Sequence, residues 1–296
     1  MNTSIRSVLC AAVFLTAFVV SRAQVSDDFS SGDNWASSVS LLGNGSFAFS
    51  GGVANYVVSP ATAIEFAYSR FTGAVGSYDS NWSVQINLSY TTPGSVFDNS
   101  VWQFINTGLM VTTTGASVGV NDGIPTFNAF MVTGNLYQSS IFESDIRTST
   151  FLADQEPSDG LRYLEVNNVS GTTTFQLGIS FDATTKVLTA NYDVDGTGGA
   201  APVTMDNSSI DYADTSTWNM VSGDTFSIYL VANSGFDEEI GSGVGPTLGL
   251  GDVTMDNFVG TNLSAVPEPS TYAALFGVCA LGFAAWRRRQ GRLVVA

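Results

Sequence analysis

The chain has no histidine. Without an imidazole, Ser-His-Asp and Cys-His catalysis, histidine metal sites and the common zinc enzymes are excluded, because each needs that ring as base or ligand. Cysteine is nearly absent: Cys10 and Cys279 lie in apolar segments near the two ends. The region between those segments therefore forms no disulfide and must be stabilised by the size of its core. Positive charge is the third deficit. Between residues 24 and 266 there are four basic residues, Arg70, Arg147, Arg162 and Lys186, against twenty-five acidic ones, a formal charge of −21. Such a field repels nucleic acid and anionic lipid and favours solubility, cations or neutral ligands, so nucleic acid is set aside as a partner. Apolar residues at helical spacing, and the Lys, Glu and Gln of surface helices, are scarce as well.

What fills the middle is Ser, Thr, Gly, Asn, Val and Phe in a period-two pattern. Trp82, Val84, Ile86 and Leu88 alternate with Ser83, Gln85, Asn87 and Ser89, as a half-buried strand requires. In residues 175–198, Phe175, Leu177, Ile179 and Phe181 share one face and Leu188, Ala190, Tyr192 and Val194 another, with turn residues Asp182 to Lys186 between them. That spacing predicts an antiparallel hairpin. Further strands are expected at 47–49, 53–58, 64–68, 109–114, 127–132, 136–142, 161–166, 226–231 and 253–259. Many short strands broken by Gly, Asn, Asp and Pro predict an all-β fold of two packed antiparallel sheets, one domain over residues 24–262.

Both ends stand apart from that domain. One positive charge, the apolar run Val8 to Val20 and the small residues around Ala23 predict a secretory signal peptide over residues 1–23. At the other end, residues 263–270 read as a tether containing Pro267-Glu268-Pro269. Residues 271–286 follow as an apolar stretch about 24 Å long if helical, slightly short of a hydrocarbon core of about 30 Å. Tyr272 and Trp286 suit the two interfaces, and Arg287, Arg288 and Arg289 in the tail 287–296 act as the membrane stop that fixes that end in the cytoplasm. A single transmembrane helix with the domain exported is the expected topology.

Two resemblances follow from these residues. The stretches "DDFSSGDNW" (Asp27 to Trp35), "LGISFDATTKVLTANYDVDGTG" and "DVTMDNFVGT" resemble exported bacterial domains of the concanavalin A-like lectin and glucanase class, which implies a jelly-roll sandwich. The order of Pro-Glu-Pro, short apolar helix and arginine cluster closely resembles the PEP-CTERM sorting signal of Gram-negative bacteria. That likeness implies an exosortase, a membrane cysteine protease that cuts near the triplet and passes the protein to the surface or matrix. The prolines hold the segment extended, a form a protease cleft can read.

Chemistry in the domain rests on carboxylates and rings. A glucanase needs two carboxylates across a groove. Glu143 and Asp145 share a strand face, but laminarinase-like members carry a third acid two or three positions on, where this chain has Arg147 and Thr148. No catalytic residue is therefore assigned. Asp193 and Asp195 alternate into a glycine turn and could supply oxygens to calcium, the one candidate cofactor, although no distal acid completes the loop; a tight turn explains the same residues. Asp237-Glu238-Glu239 reads as a charged loop. Trp35, Trp82, Trp102 and Trp218 are the candidate platforms for stacking on a glycan; large rings in a sandwich are more often core, Trp82 continues an apolar face and is expected buried, and Trp218 in its polar surroundings is the better surface candidate. Sequons at Asn44, Asn81, Asn87, Asn168, Asn207 and Asn262 are what a chain rich in Asn, Ser and Thr contains by chance. Three functions remain: a non-enzymatic exported surface or matrix protein associated with extracellular polysaccharide, a glycan-binding module with or without calcium, and a carboxylate-based glycoside hydrolase.

Overall fold

A computed structural model describes residues 22–58, 64–90, 103–118, 120–121, 124–125, 127–138, 142–151, 164–166, 174–193, 201–202, 212–236 and 245–265. Among them the period-two pattern becomes strand throughout, and the one helical element is a 3-10 turn, Thr215–Trp218. The strands in chain order are β1 (Arg22–Asp27), β2 (Val39–Leu42), β3 (Ser46–Ser50), β4 (Val53–Val57), β5 (Ile64–Arg70), β6 (Ala74–Ser77), β7 (Trp82–Tyr90), β8 (Gln103–Thr113), β9 (Val120–Asn121), β10 (Ile124–Pro125), β11 (Ala129–Gln138), β12 (Phe142–Phe151), β13 (Leu164–Val166), β14 (Thr174–Asp182), β15 (Val187–Asp193), β16 (Ala201–Pro202), β17 (Tyr212–Asp214), β18 (Thr225–Phe236) and β19 (Val253–Ala265).

All pairings among the described residues are antiparallel, as expected of a sandwich without crossover helices. The first sheet runs β3–β4–β19–β7–β14–β15–β17, with β1 beside the C-terminal half of β19 and β16 beside β15. The second runs β2–β5–β18–β8–β11–β12–β13. Strand β6 pairs with β18 through Ser77 and Gly76 and with β19 through Val75 and Ala74, so it ties the two sheets together. The predicted hairpin is present as β14 and β15, with Phe181 opposite Leu188 and Leu177 opposite Tyr192. Its turn is closed by Asp182, whose Oδ1 accepts from Thr184 N at 2.7 Å, and by Lys186 at φ +62°.

The main core lies between the sheets. Ile105, Leu109, Val111, Phe130, Val132, Leu136, Ile228 and Leu230 of the second sheet face Val84, Ile86, Leu88, Phe175, Leu177 and Ile179 of the first. Residues 129–132 and 136–138, expected in two separate strands, belong to one strand, β11, whose central Gly134 faces inward; residues 139–141 lie outside the described residues and Phe142 opens β12. A Cβ on Gly134 would stand 2.6 Å from Leu88 Cδ2, and the Gly134 carbonyl accepts from the buried Tyr90 hydroxyl at 2.6 Å. This glycine marks close approach of the sheets, not a break.

The "DDFSSGDNW" and "MDNF" stretches meet in one aromatic knot. Asp27 Oδ1 accepts from Phe29 N at 2.7 Å, and its Oδ2 accepts from Trp35 Nε1 at 3.1 Å. Trp35 then packs on Phe71 at 5.1 Å and edge-on against Phe258 at 5.3 Å between ring centroids. Phe258 reaches the core because β19 is bulged. From Asp256 to Val259 it gains one residue on β7, and Asn257 takes φ +50°. Asparagine tolerates the left-handed region. The bulge shifts the alternation by one, so inward Met255 is followed by inward Phe258, both fully buried. A second such shift, against β1, falls at Asn262 with φ +57° and returns Leu263 to the core.

At the other end of the second sheet's inner face, Glu65 is wholly buried. It accepts hydrogen bonds from the backbone N–H of Asn44 and, at 3.0 Å, of Gly45, in the turn between β2 and β3. Gly43, at φ +67°, has no room for a Cβ, which would collide with that carboxylate. Nearby, the buried Tyr56 hydroxyl stands 3.1 Å from Ser234 Oγ. Burial, reinforced by Glu65 and offset in part by the Ser234 bond, pushes the Tyr56 phenol far above its ordinary pKa.

Candidate functional site

The second sheet has an outward face as well. One end of it carries a smaller apolar cluster, Met110, Val118, Phe127, Ala129, Tyr229 and Val231, with Tyr68 and Met131 packed against it. Burial holds the Tyr68 phenol above its ordinary pKa, and the neighbouring Tyr229, 5.7 Å away between ring centroids, adds to the shift. Two residues from Val231 on β18, and four from Met110 on β8 and from Met131 on β11, the same face carries asparagines. Asn135 of β11 stands opposite Asn106 of β8, and Asn106 opposite Asn233 of β18. On the other flank of Asn135 the register position belongs to Asp145 of β12.

This asparagine row is not satisfied internally. Asn135 is 0% exposed, yet neither its Nδ2 nor its Oδ1 has a hydrogen-bond partner, and the Oδ1 of half-buried Asn106 has none either. The two amides face each other across adjacent strands without bonding, and exchanging the ends of Asn135 would not help, since both are orphaned. Buried polar groups are normally paired, and these atoms, sealed from solvent, are exceptions to that rule. Sequence reasoning missed the row, because cross-strand register brings together residues 106, 135 and 233 and no local pattern announces it.

The residues singled out in the sequence fare differently. Glu143 and Asp145 occupy alternate positions of β12, opposite Tyr137 and Asn135, with Arg147 next on the same face opposite Thr133. Asp193 is the last residue of β15, half-buried and opposite Gln176; Asp195 lies outside the described residues. Among the described residues no group of three or more metal-binding side chains occurs. Trp218 must be corrected: it is 4% exposed, inside the main core, with its ring 6.4 Å from Phe226. The 3-10 turn, capped by Asp214 accepting from Ser216 N, tucks the ring inward beneath exposed Ser216 and Thr217. The polar neighbours that pointed to the surface are themselves exposed, while the tryptophan turns to the core. Trp35 and Trp82 are buried, Trp82 as expected, while Trp102 and the Asp237-Glu238-Glu239 loop lie outside the described residues.

The C-terminal boundary also moves. Leu263 to Ala265, expected as tether, are the end of β19, with Leu263 and Ser264 opposite Ala23 and Arg22 of β1 and Ser264 and Ala265 opposite Val75 and Ala74 of β6. Pro267, Glu268, Pro269 and Arg287 to Arg289 lie outside the described residues, as do residues 1–21 and the expected helix 271–286. Among the described residues no helix is long and apolar enough to cross a membrane.

A family model described as the PEP-CTERM protein-sorting motif matches residues 265–289. The chain carries a PEP-CTERM sorting motif. Its first matched residue, Ala265, is the last residue of β19. No curated protein matches the chain in sequence. Among solved structures, the exoplasmic/lumenal domain of VIP36, in its Ca2+/Man3GlcNAc-bound form, is similar with a TM-score of 0.45 at 10% identity, covering 82% of this chain and 92% of that one. The lectin from Bauhinia forficata in complex with GalNAc gives a TM-score of 0.41 at 12% identity, with coverages of 82% and 99%. The Emp47p carbohydrate recognition domain gives 0.46 at 7% identity, with coverages of 82% and 96%.

Proposed function

We propose that this is an exported, non-enzymatic surface or extracellular-matrix protein, a jelly-roll sandwich that an exosortase-type membrane protease cuts near Pro267-Glu268-Pro269 and that then associates with extracellular polysaccharide. One observation carries the reading: the sorting motif starts at Ala265, the last residue of β19. A cut near the triplet leaves every described pairing of β19 in place. The signal peptide supplies export, and the apolar 271–286 segment with Arg287 to Arg289 holds the chain in the membrane until the cut. Glycoside hydrolysis is disfavoured by Arg147, which stands where a third acid belongs; release of reducing ends from a polysaccharide by the purified protein would overturn this part.

The test of sorting is mass spectrometry of the protein recovered from the cell surface. The C-terminal peptide should end near Pro267 to Pro269 and contain nothing from Thr271 onward. Recovery of the intact tail in surface material would replace processing with a permanent anchor.

A further inference from the structure

We propose that the end of the sandwich from which the tail leaves is the docking surface for the membrane protease that cuts the sorting motif. The proposal rests on the sorting reading above and names the surface that the protease uses. Distance carries the first step. Strand β19 ends at Ala265, and the triplet Pro267-Glu268-Pro269 lies two to four residues on. An extended chain spans at most about 3.3–3.6 Å per residue, which keeps a cut at the triplet within about 15 Å of Ala265. A protein body that closes on so short a segment must touch the loops around that end. Those loops follow from the pairings. Ala74 stands opposite Ala265, and at the other end of the same short strand, β6, Ser77 stands opposite Thr225. Ser83 of β7 stands opposite Thr261, and Trp82 opposite Phe181. Residues 78–81, 183–186 and 214–224 therefore gather at the end where the tail leaves.

Hydrogen bonds between segments distant in sequence knit these loops into one body. Asp79 Oδ2 accepts from Gly223 N at 2.7 Å and from Ser222 Oγ at 3.1 Å. Asn81 Oδ1 accepts from Ala183 N at 2.8 Å, and Lys186 Nζ donates to the Tyr78 carbonyl at 2.7 Å. Thr215 donates through both its N–H and its hydroxyl to the Lys186 carbonyl, and Tyr78 N donates to Asp224 O at 3.0 Å. A surface tied in this way has little freedom left to lose when a partner binds, and loops held on a rigid scaffold are where binding concentrates. Its crest is apolar: Val221 is 64% exposed, between half-buried Met220 and exposed Ser222. Charge favours a protein over a lipid surface. Asp79, Asp182 and Asp214 are exposed here, and Lys186, the one lysine of the chain, is already engaged by the Tyr78 carbonyl and ring. An anionic bilayer meets repulsion at this end.

The experiment follows the full chain in the cells that export it, by pulse-chase of the tail-bearing and cut forms. Val221→Asp and Val221→Lys each carry an unpaired charge into the contact and should slow the cut about tenfold, while the Tm of the recovered protein stays at the wild-type value, as for an exposed loop position. Leu250→Asp is the control. Leu250 is 68% exposed in the loop before Val253, at the opposite end of β19, and its variant should be cut at the wild-type rate. A spacer of about eight Gly and Ser residues between Ala265 and Val266 adds up to about 25 Å of reach, so that the protease no longer has to touch the sandwich. Behind that spacer the wild type and both Val221 variants should be cut at one rate. Wild-type rates in both Val221 variants without the spacer would overturn the proposal, as would equal slowing by Leu250→Asp or a difference that persists behind the spacer. Slowing confined to Val221→Asp would assign the contact to an anionic bilayer and also overturn it. In each of these cases the sorting reading stands. A wild-type tail that is never cut would overturn the sorting reading and this surface together.

Discussion

Replacing Glu65 tests how a buried carboxylate organises the edge of the sandwich. The side chain is 0% exposed and receives the backbone N–H groups of Asn44 and Gly45. Hydrogen bonds to a charged group contribute about 1.5–3 kcal/mol each, and a buried donor left without a partner costs about 1–3 kcal/mol. Glu65→Ala strands both N–H groups and opens a cavity beside Tyr56, for a loss of about 3–5 kcal/mol in total. Glu65→Gln keeps the shape and one acceptor oxygen, so its loss should be smaller, about 1–2 kcal/mol. For a domain of this size each kcal/mol moves the Tm by about 2–4 °C, which puts the alanine variant about 6–20 °C below wild type and the glutamine variant between the two. Thermal unfolding followed by far-UV circular dichroism reads both. An alanine variant within about 1 kcal/mol of wild type would refute the reasoning, because it would mean that the turn between β2 and β3 holds its N–H groups satisfied by water.

Two further outcomes follow from backbone geometry and titration. Asn257→Val places a β-branched residue at φ +50° and should cost about 1–3 kcal/mol, whereas Asn257→Gly should be nearly neutral, as chemical denaturation would show; equal losses would remove the bulge as the cause. Asp214 caps the 3-10 turn, and its bonds to Ser216 hold its pKa below the ordinary 3.8. Its contribution is thus full above that value and lost as the pH falls below 3.8 through the lowered pKa, so Asp214→Asn should flatten the stability profile at the acid end; an unchanged profile would exclude this cap as a contributor.

Local pattern carried a large share of the fold. Trp82 to Tyr90 and the 174–193 hairpin alternate strictly, each burying one face, and period two is the signal a single sequence shows best. The misreadings have non-local causes. Gly134 looks like a strand break until Leu88 and Phe175 of the opposite sheet are seen to press on it. Trp218 looks exposed because its sequence neighbours are polar, but Phe226, eight positions on, belongs to the core that covers it. The asparagine row is the clearest case: residues 106, 135 and 233 become neighbours only through the register of three strands. By contrast the sorting motif was fully legible, since its recognition depends on the order of parts along the chain and not on folding.

The placement of β19 has a mechanical consequence. It is an interior strand, flanked by β4 and β1 on one side and by β7 and β6 on the other, and it leads directly into the tail. A pull applied at the C-terminal end of β19 runs along the strand axis. Detachment then requires rungs on both flanks to slide together, where an edge strand would be held by the rungs of one flank alone.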